Sequence, residues 1–138
     1  MGILLSEFSK SSKTETGRQV EGRALLYYLE TRPGSRLIAR NWRTRGGEID
    51  LIFEESSAAR GGPVAGRERV ELVFVEVRFR DAATAFQTPL ESVGGMKLRR
   101  LKRAMGLYLV QYRGPGRSLR LDVLEWDGKV WAHRQAVI

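Results

Sequence analysis

Two acidic residues on neighbouring apolar segments are the strongest candidates for chemistry in this sequence. Asp50 lies within the segment 48–54, and Glu76 lies within the segment 72–80, where Arg78 follows it by two residues. Charged groups inside apolar strands lose hydration at a high cost in free energy unless something binds them. Carboxylates that meet at one point repel each other, and a hard cation such as Mg²⁺ or Mn²⁺ relieves that repulsion through oxygen ligands. The pattern therefore predicts a metal site where the two segments lie side by side.

Glu21 is the third carboxylate of the predicted site. It lies in the first predicted helix, beside the apolar stripe and one turn before Ala24 and Leu25, so it can point toward a sheet. Taken alone, it is more simply an ordinary charge on the flank of the helix, paired with Arg18 or Arg23. Both interpretations stay open at this point, and the metal hypothesis requires the first.

Three cationic residues lie near the carboxylates in the predicted arrangement, namely Arg78, Arg80 and Lys97. A metal ion can lower the pKa of a bound water and polarise a phosphoryl oxygen, and a nearby cation can stabilise charge that develops on the phosphorus. An aspartate followed by a strand that bears Glu76-Val77-Arg78 has the spacing of a D…(D/E)-x-K nuclease site. The same spacing occurs in many strands, so by itself it is weak evidence.

The segment that carries Glu76 has the pattern of a central strand. It is rich in β-branched and aromatic residues, and side chains alternate between the two faces of a strand. One predicted face is wholly apolar and consists of Val73, Val75, Val77 and Phe79. The other face begins with Leu72 and Phe74 and ends in charged residues. Apolar residues on both faces favour a position in the middle of a sheet that is covered on both sides.

The remaining elements are predicted from hydrophobic period and turn residues. Helices are expected at 16–31 and 89–112, and strands at 36–43, 48–54, 119–126 and 130–134. Within the strand 48–54, Ile49, Leu51 and Phe53 are expected to share one face. Residues 56–69 are expected to form a long mobile loop. The resulting order, α-β-β-β-α-β with a short terminal strand, predicts an α/β fold.

Composition limits the class of protein. The 138 residues predict a single domain, 1–138, in which residues 1–15 form a flexible N-terminal segment. There are no cysteines and one histidine, His133, which excludes disulfides and thiolate chemistry and disfavours a histidine-based metal site. We expect no membrane span, because no apolar run has the length of one, and a cytoplasmic location.

Positive charge is the main global signal, with a net charge of +8 and a sequence pI of about 10.4. Such a balance favours a polyanionic partner, and we expect a nucleic acid, with DNA favoured over RNA. The candidate nucleic-acid-binding residues are Arg43, Arg45, Arg80, Lys97, Arg99, Arg100 and Arg103. The alternative, a basic surface that only keeps the protein soluble, stays open, because charge alone does not identify a partner.

Several motifs resemble the YraN-like family of bacterial proteins. The main ones are Gly47-Glu48-Ile49-Asp50-Leu51-Ile52, the run from Val73 to Arg80, and Leu121-Asp122-Val123. Smaller matches are Gly17 with Glu21 and Ala24, Arg40-Asn41, Pro89 with Val93 and Lys97, and the ending from Trp131 to Ala136. The resemblance extends from about Gly17 to the C-terminus. The family has no assigned function, is grouped with restriction-endonuclease-like folds and is similar to Holliday junction resolvases.

This resemblance implies a restriction-endonuclease-like α/β core with a central mixed sheet flanked by helices. It also implies Glu21, Asp50 and Glu76 as ligands of Mg²⁺ or Mn²⁺, with the catalytic cation at Arg78 or supplied by Lys97. The sequence departs from the family signature at position 78, where arginine replaces lysine. An arginine cannot act as a base near neutral pH, although it can still orient a phosphate.

The sequence is therefore compatible with two functions. The first is a metal-dependent nuclease that acts on DNA phosphodiesters, including branched or nicked DNA. The second is a non-catalytic nucleic-acid-binding module on the same fold. A fold is weak evidence for an activity. The sequence also leaves a homodimer open.

Overall fold

The computed structural model describes residues 15–56, 69–79 and 94–138. Its elements follow in the order α1 (Glu15–Thr31), β1 (Ser35–Thr44), β2 (Gly47–Ser56), β3 (Val70–Phe79), α2 (Gly95–Gln111), β4 (Ser118–Trp126) and β5 (Trp131–Arg134). The predicted α-β-β-β-α-β order and the short terminal strand are confirmed. No helix in these ranges is both long enough and apolar enough to cross a membrane.

The five strands form one mixed sheet in the order β1-β2-β3-β4-β5. The pairs β1–β2, β2–β3 and β4–β5 are antiparallel, and β3 and β4 are parallel. A parallel pair needs a crossover connection, and α2 lies in the connection between β3 and β4. The strand that carries Glu76 is thus the middle strand of the sheet, as its pattern predicts.

One helix packs on each face of the sheet, so the protein has two apolar cores. Successive residues of β3 alternate between them: Leu72 and Phe74 contact the α2 core, and Val73, Val75 and Val77 contact the α1 core. The α1 residues of the core are Val20, Ala24 and Tyr28, and those of α2 are Leu101, Ala104, Met105 and Tyr108. Burial on both faces explains the doubly apolar pattern of β3.

The alternation of side chains in β2 changes at Asp50. Ile49 lies in the α2 core with Ile52, while Leu51 and Phe53 lie in the α1 core. The expectation that Ile49 shares a face with Leu51 and Phe53 is therefore wrong. The neighbouring strand gives the reason: Asn41 lies between the residues that pair with Ile49 and Leu51, and its φ of 52° is left-handed. A left-handed residue interrupts the regular pleat of the paired strands.

The start of the second helix differs from the expectation, and several other expectations fall outside the described residues. Helix α2 begins at Gly95 rather than including Gly94, because Gly94 has a φ of 78° and cannot be a helical residue. The expected helix start at Pro89, the N-terminal segment before Glu15, the residues 57–68 of the predicted loop and Arg80 all lie outside the described residues.

Candidate active site

Three carboxylates from α1 and β2 converge at one end of the sheet. Oxygen atoms of Glu21, Glu48 and Asp50 all lie within 4.8 Å of one another. Glu21 follows Val20 and is one turn before Ala24, both of which are buried against the sheet, and Glu21 itself is only 3% exposed. Glu21 therefore lies on the buried side of α1, as the metal hypothesis requires.

Asp50 is held at the point where β2 and β3 separate. The last residue pair of that ladder is Leu51 with Val75, and beyond it the backbone N–H of Val77 donates a 2.7 Å hydrogen bond to Oδ2 of Asp50. The side chain thus replaces a backbone acceptor and is only 4% exposed. This bond fixes the carboxylate beside the strand that carries Glu76.

Glu76 faces α2, where it forms an ion pair with Lys97. The distance from Lys97 Nζ to Glu76 Oε1 is 2.6 Å; the glutamate side chain is 4% exposed, whereas that of Lys97 is 53% exposed. Burial is the main reason why the pKa of Glu76 is raised to about 7. The negative charge of Asp50 adds to the rise, and the Lys97 ammonium opposes it. The Glu76 carboxyl can therefore exchange a proton near neutral pH.

The structure arranges the predicted ligands differently from the simplest expectation. Glu21 and Asp50 come together, but the third member of their cluster is Glu48, while Glu76 is paired with Lys97. Asp50 belongs to both groups, since it is close enough to Glu76 to raise its pKa. Sequence reasoning missed Glu48 as a candidate ligand, although it lies only two residues before Asp50 in the same predicted strand.

The donor set of this cluster fits a hard divalent cation. All three groups offer carboxylate oxygens, which Mg²⁺ and Mn²⁺ prefer. The Oε2 atom of Glu21 is buried and accepts no hydrogen bond, although other atoms of Glu21 make contacts. Glu48 is half-buried and forms a 3.2 Å ion pair with Arg43. The ligand set Glu21, Asp50 and Glu76 stays a prediction, and Glu48 joins it as a candidate.

The predicted cations differ in their surroundings. Lys97 contacts Glu76, and Arg43 contacts Glu48, so both lie at the carboxylates. Arg78 is half-buried on β3, in register with Glu125 of β4. Arg45 is exposed in the turn between β1 and β2.

Arg99, Arg100 and Arg103 line a cleft between α2 and the β1–β2 turn. The cleft has a volume of about 220 Å³, and its other lining residues are Gly46 and Met96. We call it the arginine cleft. The cleft adjoins the carboxylates on both of its sides. On one side Glu48 lies two residues after Gly46, and on the other Lys97 directly follows Met96 in the first turn of α2. The sequence predicted the basic residues but not the cleft.

Comparisons with known proteins identify the relatives of this chain. The model of "Uncharacterised protein family UPF0102" matches residues 21–125, a span that includes the four carboxylates and Lys97. The UPF0102 protein of Moorella thermoacetica is 40% identical over 114 residues, which cover 83% of this chain and 80% of the relative. The UPF0102 protein of Marinobacter nauticus is 39% identical over 84% of this chain and 81% of its own. The UPF0102 protein of Janthinobacterium sp. is 35% identical over a stretch that covers 87% of this chain and 84% of the relative.

Proposed function

The chain belongs to the protein family UPF0102, and from that premise we propose that it is a metal-dependent nuclease that cleaves DNA phosphodiester bonds. One observation carries the proposal: the oxygens of Glu21, Glu48 and Asp50 converge within 4.8 Å, next to the Glu76–Lys97 pair. Three carboxylates so close together repel one another unless a cation or protons neutralise them. The family match itself assigns no activity.

Each residue has a distinct part in this proposal. Glu21, Glu48 and Asp50, with Glu76 beside them, would hold Mg²⁺ or Mn²⁺, which would act as a Lewis acid and lower the pKa of a bound water. The Lys97 ammonium is exposed enough to donate hydrogen bonds to a phosphate oxygen and to stabilise charge that develops there. Arg78 orients the phosphate and cannot be the base, because a guanidinium keeps its proton near neutral pH.

A second candidate function is a nucleic-acid-binding module that does not cleave. The observation that favours it is the direct Glu76–Lys97 ion pair, which neutralises both groups without a metal ion. Arginine at position 78 also removes the titratable amine that a lysine would supply.

Cleavage assays separate the two functions. Purified protein is incubated with linear, nicked and branched DNA, and with RNA, in the presence of Mn²⁺ or of EDTA. A nuclease should cleave DNA only with the metal, and Asp50→Asn and Lys97→Ala should each lower the rate about 100-fold or more. Glu30→Gln, an exposed glutamate on α1, is the matched control and should leave the rate unchanged.

Two results would contradict the nuclease. If none of these substrates is cut with Mn²⁺ present, the binding module is the better explanation. If Asp50→Asn cleaves as fast as the wild type, the activity belongs to a contaminating enzyme rather than to this site.

A further inference from the structure

We propose that the arginine cleft is a binding site for the phosphodiester backbone of a polynucleotide strand, shaped by the missing side chain of Gly46. The proposal deepens the proposed function, on which it rests for the class of partner, by stating where the strand lies. It concerns binding alone, so it can be tested without any cleavage.

The cleft exists because two elements approach each other unusually closely. A Cβ atom on Gly46 would overlap the Cδ of Arg103, and one on Gly47 would lie 2.8 Å from the carbonyl oxygen of Arg100. Real Cβ atoms do not reach such distances, so a larger residue at position 47 would push the β1–β2 turn away from α2, and one at position 46 would displace the Arg103 side chain. Arg103 therefore extends across the turn in space that any other residue at position 46 would occupy.

The turn itself is fixed by Thr44. Its hydroxyl accepts hydrogen bonds from the N–H groups of Gly46 and Gly47, each at 3.1 Å, and donates one to the carbonyl oxygen of Gly47 at 3.0 Å. One wall of the cleft is thus held by the hydrogen bonds of the Thr44 hydroxyl before any ligand arrives. A preformed site loses less conformational entropy on binding.

The charges of the cleft differ from those of several other basic residues in the described ranges. Arg32, Arg36, Arg43, Arg120 and Lys97 all form ion pairs with carboxylates. Within the described ranges, no carboxylate lines the cleft or pairs with its three arginines.

Within the described ranges, the hydrogen bonds of these arginines are weak and leave most of their donors available. Arg99 donates to the carbonyl oxygen of Gly95 at 3.5 Å, and Arg100 donates to the sulfur of Met96 at 3.6 Å. Each guanidinium has five N–H donors in a planar array that matches phosphate oxygens. The walls of the cleft are mainly the carbon parts of these side chains, and the three exposed guanidiniums around it match a phosphodiester in charge.

The position of the cleft favours a polynucleotide over a free phosphate or a lipid headgroup. Its walls continue directly into the carboxylate site, through Gly47 into Glu48 on one side and through Met96 into Lys97 on the other. A strand bound in the cleft can therefore extend over the carboxylates. A single phosphate ion would use the cleft without this extension.

Gly46→Ala tests the shape of the cleft without changing any charge. Gly46 does not have a positive φ, so alanine fits the backbone, and the flexible end of Arg103 must move away. We expect this variant to bind a labelled oligonucleotide about 10-fold more weakly in EDTA, because the displaced Arg103 guanidinium loses its charge-assisted contact with a phosphate. Fluorescence anisotropy measures the affinity, and circular dichroism verifies the fold.

Gly106→Ala is the matched control. It makes the same substitution on α2, where an added Cβ meets nothing within 4 Å, and should bind like the wild type. Arg103→Gln is the second variant, which removes the side chain's charge without altering the turn. It should weaken binding by a similar factor and lower the salt slope by about one.

Three outcomes would overturn the proposal. Gly46→Ala could bind as tightly as Gly106→Ala, which would mean that only diffuse charge attracts the strand. Inorganic phosphate could displace the oligonucleotide at constant ionic strength, which would mean that the cleft is a site for a free anion. Anionic vesicles could bind in a Gly46-dependent manner while oligonucleotides do not, which would mean a lipid surface. Because binding is measured in EDTA and also with Asp50→Asn, failure of the proposed nuclease does not affect the result.

Discussion

Glu48 is the residue whose role changes most between the sequence and the structure. It lies with Glu21 and Asp50 in the carboxylate cluster and also pairs with Arg43. If it contributes to a metal site, bound metal stabilises the folded state by mass action, and removal of one ligand reduces that stabilisation.

We therefore expect Mn²⁺ to raise the melting temperature of the wild type and to raise that of Glu48→Gln clearly less. Differential scanning fluorimetry with and without Mn²⁺ measures both shifts. Glu30→Gln carries the same charge change at an exposed position of α1 and should keep the full shift. An equal shift in Glu48→Gln would remove Glu48 from the ligand set.

A second group of charged residues lies at the opposite end of the sheet and has a structural role. Arg120 is 4% exposed and binds three carboxylates, with Nε to Asp122 Oδ1 at 2.7 Å, Nη2 to Glu55 at 2.8 Å and Nη1 to Glu71 at 2.7 Å. Tyr28 donates a 2.6 Å hydrogen bond to Glu55. The network connects α1 with β2, β3 and β4. A buried charge of this kind is stable only while its partners remain.

The pKa of Asp122 gives this network a testable pH dependence. Burial raises that pKa, but hydrogen bonds from His133, Arg120 and the N–H of Ala136 outweigh burial and hold it below its ordinary value of 3.8. A depressed carboxyl pKa adds stability that is present above the unfolded-state value and is lost as the pH falls through the folded-state value.

Asp122→Asn should therefore lower the free energy of unfolding at pH 7 by about 3–5 kcal/mol, because it leaves Arg120 with fewer partners. It should also flatten the loss of stability below about pH 4. Urea unfolding between pH 3 and pH 7 measures both effects. A variant with the same acid sensitivity as the wild type would show that Asp122 does not carry it.

At the scale of the elements, the sequence predicts most of the fold. The alternation in Val73, Val75 and Val77 depends on local periodicity, and it is confirmed. The face change at Asp50 could not be predicted, because its cause is the left-handed Asn41 on a different strand. Glu48 was missed for a related reason, since its partner Glu21 is brought close only by the packing of α1 on the sheet.

The contact between the β1–β2 turn and α2 is the second feature of the elements that sequence patterns do not reveal. Gly47→Ala should separate the two, because the new Cβ would meet backbone atoms of Arg100 that cannot move alone. We expect a loss of about 1–3 kcal/mol in the free energy of unfolding.

Gly22→Ala is the control for this prediction. It lies inside α1, where an added Cβ meets nothing within 4 Å, and alanine is the better helix former, so stability should rise by up to about 1 kcal/mol. Urea denaturation of both variants measures the difference. If Gly47→Ala were as stable as the wild type, the turn would not be packed against the helix as described.

At the scale of the whole molecule, the two ends of the sheet have different charge environments. Among the described residues, three arginines without a carboxylate partner line one cleft at the end with Asp50, whereas at the other end the buried Arg120 is neutralised by carboxylates. Net charge alone would attract a polyanion to any basic surface. The structure instead concentrates available arginines beside the candidate active site.

This asymmetry predicts that the position of a charge matters more than its contribution to the net charge of +8. The double variant Arg99→Glu with Arg103→Glu should abolish most oligonucleotide binding and flatten its salt dependence, because each lost phosphate contact lowers the slope of log K against log salt by about 0.9.

Its control is Arg113→Glu with Arg117→Glu, which changes the net charge equally at two exposed residues near the start of β3. That control should retain most of the affinity and nearly the full slope. Affinities are measured between 50 and 200 mM salt, because a protein that makes several phosphate contacts loses about 10³-fold or more in affinity over this range. The comparison of the two double variants separates a local binding surface from a net-charge effect. If both double variants lose binding equally, the protein attracts nucleic acid through its net charge, and no particular end of the sheet is the binding surface.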